Sequence, residues 1–112
     1  MESVCDLTSK RCVPCEGGTH PLSEDEIDAL LKNLNGWTHA NHCIAKDFQF
    51  KDYYQTMAFV NAVAWISHRE NHHPDLTVRY NQCRVEYCTH AINALSENDF
   101  ICAAKVDTLL MI

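Results

Sequence analysis

Glycine and proline are scarce in this chain, three of each among 112 residues. That leaves little room for a long flexible linker and excludes a collagen-like or low-complexity class. Long apolar runs are missing too: the longest, around Met57 to Ile66, is interrupted by Asn61 and falls well short of the ~20 residues a bilayer requires. No membrane span is expected. Positive charge is in short supply, with nine Lys and Arg against fifteen Asp and Glu for a formal net charge of −6. That sign opposes the attraction to phosphate backbones on which nucleic-acid binding relies, so no direct nucleic-acid partner is expected. The opening residues Met1 to Asp6 lack a basic stretch followed by an apolar one, so they do not read as a secretory signal. An odd number of cysteines, seven, in such a chain favours reduced thiols in a cytoplasmic protein over a disulfide framework. What is present, 46% apolar and 21% charged residues, suits one soluble domain large enough to bury a core without staples.

Residues 1–21 hold three of the Cys, two of the Gly and two of the Pro with almost no apolar periodicity. They read as a poorly structured, dispensable arm ahead of a single domain at 22–112. Ser23-Glu24-Asp25-Glu26 is a capping box, Ile27, Leu30, Leu31 and Leu34 follow at helical spacing, and Asn35-Gly36 offers a left-handed stop, so a helix is expected over about 24–34. Rough alternation from Trp37 to Phe50 predicts two strands joined near Asn41. A run without Gly or Pro then reaches Asn71 and carries two apolar stripes, Tyr53/Met57/Val60/Ala64 and Phe59/Val63/Ile66. This arc is wider than a helix lying on one sheet needs, and it points to a second subunit. Pro74 ends that helix by biasing His73 toward extended backbone. Residues 76–80 and 83–89 read as strands about Asn81-Gln82, and Ser96-Glu97-Asn98-Asp99 opens a last helix as a second capping-box pattern. The expected fold is α+β: a four-stranded antiparallel sheet with three helices on one face, in the order α-β-β-α-β-β-α.

Four of the seven His lie between 68 and 90. His72 and His73 at a helix end locked by Pro74, with His90 at a strand end, are placed to converge and supply a proton donor and an acceptor. Three imidazoles also suit a zinc triad with an open fourth position, and His68 and His72 have the i, i+4 spacing of two ligands on one face. Cys12-Val13-Pro14-Cys15 is a CxxC, but it lies in the unpatterned arm and no second knuckle follows; Cys43, Cys83, Cys88 and Cys102 are scattered singly through apparent core elements.

His72-His73-Pro74 followed by Thr89-His90 resembles the pterin-4a-carbinolamine dehydratase family. The resemblance runs from Leu22 to Asp107 through Gly36-Trp37, Phe48-Gln49-Phe50-Lys51-Asp52, Tyr80-Asn81 and Leu95-Ser96-Glu97-Asn98-Asp99-Phe100. It implies a cytoplasmic hydro-lyase that dehydrates a 4a-hydroxytetrahydropterin to the quinonoid dihydropterin, regenerating the cofactor of an aromatic amino acid hydroxylase. By analogy His72 and His90 are the acid/base pair and His73 holds the pterin. Pro74, Thr89, Ala91 and Ile92 line the pocket. No metal and no redox cofactor is implied, because imidazoles suffice for both proton transfers. A homodimer or homotetramer is implied as well. Two departures stand out: His68 occupies a position where relatives often have Glu, and Ala91-Ile92-Asn93-Ala94 contains no Gly. Two other classes remain open at this level, a dimerisation cofactor of a transcription factor, as eukaryotic relatives are, and a zinc-binding protein.

Overall fold

The computed structural model describes residues 4–14 and 20–111 of the chain. Its elements run α1 (Val4–Ser9), α2 (Glu24–Leu31), β1 (Thr38–Ala40), β2 (Cys43–Gln49), α3 (Tyr53–Glu70), β3 (Asp75–Val78), β4 (Gln82–Tyr87) and α4 (Glu97–Thr108), with 3-10 turns at His90–Ile92 and Leu109–Met111. The four strands form one antiparallel sheet in the order β1-β2-β4-β3, so the α+β expectation holds.

Local chemistry sets the boundaries. Ser23 caps α2 reciprocally: its Oγ accepts from the Glu26 N–H at 3.2 Å, and its own N–H donates to Glu26 Oε1 at 2.9 Å. The β1–β2 hairpin turns through Asn41 and His42, both at positive φ, the backbone that a two-residue primed turn demands. Asp52 caps α3 through the Gln55 N–H. The helix closes at Asn71, left-handed at φ 52°, while the His72 N–H bonds back to the Ser67 carbonyl; a Schellman-type turn of this kind favours Gly and next Asn.

One face of the sheet, carrying Ile44, Phe48, Cys83, Val85 and Tyr87, is buried with Phe59 and Val63 of α3 and Phe100, Ile101 and Val106 of α4. The other face bears Asp47 paired with Arg84 across the β2–β4 ladder. On α3 the stripe Phe59/Val63/Ile66 is the one facing the core.

Two expectations are corrected. Where described, the segment expected as an unpatterned arm is ordered: α1 packs on α4, and Leu7 is fully buried in the core cluster. Asn98 pairs with the Val13 backbone through both its oxygen (3.0 Å) and its amide (2.8 Å), and the Cys12 N–H donates to Glu70 Oε1. The single Leu of so short a helix leaves no periodicity in the sequence to read. Cys15, the second half of the CxxC, lies outside the described residues. Nor are the thiols all reduced: Cys43 and Cys88 form a disulfide, their Cα atoms 4.5 Å apart. The β2–β4 register pairs Ile44 with Tyr87, which makes Cys43 and Cys88 the next facing positions, a relation that is visible only once the strands are paired.

Candidate active site

The site is assembled where α3 ends, β4 ends and α4 begins. The left-handed turn at Asn71 folds His72 back under the helix, leaving it 6% exposed. Its ring lies parallel to that of Tyr87, with centroids 5.8 Å apart and planes 9° apart. Tyr87 is itself buried, which pushes its phenol above the ordinary value, and its hydroxyl lies 3.4 Å from Ser67 Oγ. Because Ser67 Oγ–H already donates to the Val63 carbonyl, Tyr87 is the donor in that contact. His72 thus rests on a ring that is itself hydrogen-bonded in place.

Behind His72 stands a fully buried carboxylate, Asp99. Its Oδ1 is 2.6 Å from His72 Nε2, and its Oδ2 accepts from Thr89 Oγ1 at 2.8 Å and from the Ser96 N–H at 3.0 Å. Thr89 Oγ1 has one hydrogen, given to Asp99, so the 2.7 Å contact with Ser96 Oγ must run from Ser96 to Thr89. The result is a directed chain, Ser96 Oγ–H to Thr89 Oγ1–H to Asp99, with the imidazole on the other carboxylate oxygen. A carboxylate only accepts, so Nε2 carries a proton and Nδ1 is left as the basic nitrogen of the neutral ring.

Thr89 leads directly into the second histidine. Its N–H bonds to the Ala94 carbonyl, and together they close a short loop containing the 3-10 turn His90–Ile92. Asn93, left-handed at φ 49°, ends that turn. His90 is exposed at the loop's first position and lines a cleft of about 140 Å³ with Asn41, His42, Cys43 and Asn93.

Of the residues singled out from sequence, the hydrogen bonds tie together His72 and Thr89, through Asp99. His73, His90 and Ala91 are solvent-exposed, and Pro74 and Ile92 half-buried. Glu70 does not stand in for the carboxylate absent at position 68. It is buried, and although burial opposes its charge, Lys105 at 2.8 Å, the Cys12 N–H and Arg11 together hold its carboxyl below the ordinary range. His68 is exposed and lies against Trp65, ring centroids 6.1 Å apart. Cys12 faces Cys102, Sγ to Sγ 3.6 Å. That neighbour, burial and the Glu70 carboxylate push the Cys12 thiol up, away from the thiolate a metal ligand or redox nucleophile needs. Among the described residues no group of three or more His, Cys, Asp or Glu is arranged to hold a metal ion.

In the sequence Asp99 and Ser96 stand out as a helix cap and as part of the stretch Leu95 to Phe100, with no role at the site assigned to either. The cap is real, but the same carboxylate that takes the Ser96 N–H also takes the imidazole.

This arrangement accompanies matches along nearly the whole chain. Residues 20–109 match the profile of the family described as pterin 4 alpha carbinolamine dehydratase. The chain belongs to that family. A relative in Nitrosospira multiformis, provisionally named a pterin-4-alpha-carbinolamine dehydratase, is 64% identical over 110 residues, covering 98% of this chain and 97% of the relative. One of the same name in Legionella pneumophila is 56% identical over 109 residues, 95% of this chain and 96% of its own. A crystal structure of a transcriptional coactivator/pterin dehydratase from Brucella melitensis superposes with a TM-score of 0.78 at 29% identity, covering 80% of this chain and 98% of that one. The dehydratase family thus accounts for the sheet, α2 to α4 and the histidine segments, all of which lie within the matched residues.

Proposed function

We propose that the protein dehydrates 4a-hydroxytetrahydropterins by histidine acid/base catalysis. The observation that carries this reading is the buried His72–Asp99 pair, joined through Thr89 to the segment that presents His90. Dehydration needs one proton delivered to the 4a-hydroxyl as it leaves as water, and one proton taken from a ring nitrogen while a nitrogen lone pair replaces the broken C–O bond. The oxidation state is unchanged overall, so the work is proton transfer and positioning.

Asp99 holds the His72 ring in one tautomer and stabilises its cationic form when it takes a proton; Tyr87 fixes the ring plane. His90, on a separate element and open to solvent, is the partner acid or base. His73, also exposed beside the site, holds the pterin, with Pro74, Thr89, Ala91 and Ile92 lining it. The 4a-hydroxyl can stand on either face of the ring, and two imidazoles from different elements give each face an acid. An aromatic amino acid hydroxylase would supply such a substrate.

The test is direct: supply freshly generated 4a-hydroxytetrahydropterin and follow formation of the quinonoid product above the spontaneous rate. Acceleration lost in a His72→Ala/His90→Ala double variant that still folds is expected. Absence of acceleration by the intact protein overturns the reading. Extended chelation is expected to leave the rate unchanged, and a rate that chelation removes and zinc restores would move the histidines to metal ligation.

A further inference from the structure

We propose that the Cys43–Cys88 disulfide is a redox-responsive clamp on the segment that carries Thr89 and His90. The β2–β4 ladder has its last paired residues at Ile44 and Tyr87, and the disulfide adds one covalent rung beyond them. At that point β4 leaves the sheet to deliver Thr89 to Asp99 and His90 to the cleft. Cys88 is buried and Cys43 half-buried, and neither is counted in the main hydrophobic cluster, so opening the bond removes the covalent tether of the catalytic segment to β2 while the packing of that cluster stays in place. Both line the same cleft as His90, and Cys43, half-buried beside the exposed Asn41-His42 turn, is the sulfur a reductant reaches first.

The reaction is thiol–disulfide exchange with a small dithiol. A thiolate of the dithiol attacks Cys43 Sγ, the bond to Cys88 breaks, and Cys88 leaves as a thiolate that takes a proton. The second thiol of the reductant then displaces Cys43 from the mixed disulfide. The reductant ends as a disulfide, and the protein gains two electrons and two protons as two thiols. Once free, Cys88 no longer anchors the backbone that aims Thr89 Oγ1 at Asp99. What remains holding the segment is the Thr89–Ala94 bridge and the Ser96 and Asp99 hydrogen bonds. The oxidised protein is therefore the better-organised form of the site.

The catalytic consequence rests on the dehydratase reading; the structural one does not, and the experiment separates them. The full chain, purified without reductant and acid-quenched, is mapped for a peptide linking Cys43 to Cys88. Turnover and amide hydrogen exchange are then compared before and after dithiothreitol, and again after oxidised glutathione. The expected result is the linked peptide, exchange at residues 89–94 that quickens on reduction, and kcat/KM lower by about 10-fold, inside the ~10²-fold that a misplacement of about 1 Å costs. All three should reverse on re-oxidation. A Cys43→Ser/Cys88→Ser variant should show the reduced-form values in both media, which separates this pair from Cys12 and Cys102. The proposal is overturned if no linked peptide forms even with oxidised glutathione, if exchange and turnover are the same in both states, or if the double variant still responds. A protein inactive in both states overturns the dehydratase reading, and peptide map and exchange then decide the clamp.

Discussion

Asp99 accepts from an imidazole, a hydroxyl and a backbone amide while fully buried. An amide in its place offers one acceptor oxygen and turns an NH2 group toward a donor, so Asp99→Asn should preserve the shape and spoil the tautomer. Its kcat is expected to fall roughly 10²-fold with little change in KM, the pattern of an interaction felt in the transition state. Steady-state kinetics beside a melting curve would check it, and a variant with normal kcat would remove Asp99 from the mechanism. His73→Ala, by contrast, should raise KM more than it lowers kcat if His73 only holds the pterin. The other buried carboxylate, Glu70, is a stability group. Its folded pKa lies below the ordinary 4.5, so the unfolded chain binds the extra proton between those values and stability rises with pH across that window. Wild-type stability is then complete above the ordinary value and is lost as pH falls through the folded one. Glu70→Gln should flatten that acid-side slope when Tm is followed from pH 7 to 3; an unaltered slope would assign it to other carboxylates. The histidines stand out in the sequence because their residue type and spacing carry chemistry, and Thr89 stands out only through the resemblance. The role of Asp99 was not legible, because a carboxylate at the third position of a capped helix has an adequate local explanation until the fold places an imidazole on its far oxygen.

At the scale of elements, what the sequence displayed were the features enforced by local rules: both capping boxes, the stop before Pro74, and the hairpin turning at Asn41. The helix at the N-terminal end obeys no such rule. Its buried Leu7 has meaning only against α4, and the Asn98 and Glu70 contacts that anchor the following residues span more than fifty positions of chain. The disulfide was hidden for the same reason, since pairing 43 with 88 requires the strand register. Ordering of the arm changes the expectation for its removal. Leu7→Ala should cost about 2–5 kcal/mol, the range for emptying a buried leucine site, and deletion of residues 1–14 should lower Tm further. Chemical denaturation checks both, and a deletion variant as stable as the intact chain would restore the dispensable arm.

For the whole molecule, the two stripes of α3 part company. Phe59 and Val63 are consumed by the core, while Tyr53 is 52% exposed, Tyr54 89% and Trp65 61%, with Met57 and Val60 half-buried and Ala64 exposed along the outer stripe. Leu110 beyond α4 is 53% exposed, and a groove formed with Phe50, Ala58, Ala62 and Leu109 runs alongside α3. Several aromatic and aliphatic side chains exposed on one helix and its neighbouring groove exceed what an isolated small domain ordinarily leaves in water. A nucleic-acid partner is disfavoured by the net charge of −6, whereas a second copy presents the same apolar stripe and closes by two-fold symmetry. Light scattering at micromolar concentration should therefore give at least twice the 12.8 kDa of one chain. Met57→Glu, which puts a charge in the middle of the outer stripe without touching the core face, should shift the protein to monomer with its circular dichroism unchanged. A wild-type protein that scatters as a monomer at that concentration would mean that the outer stripe of α3 is left to solvent.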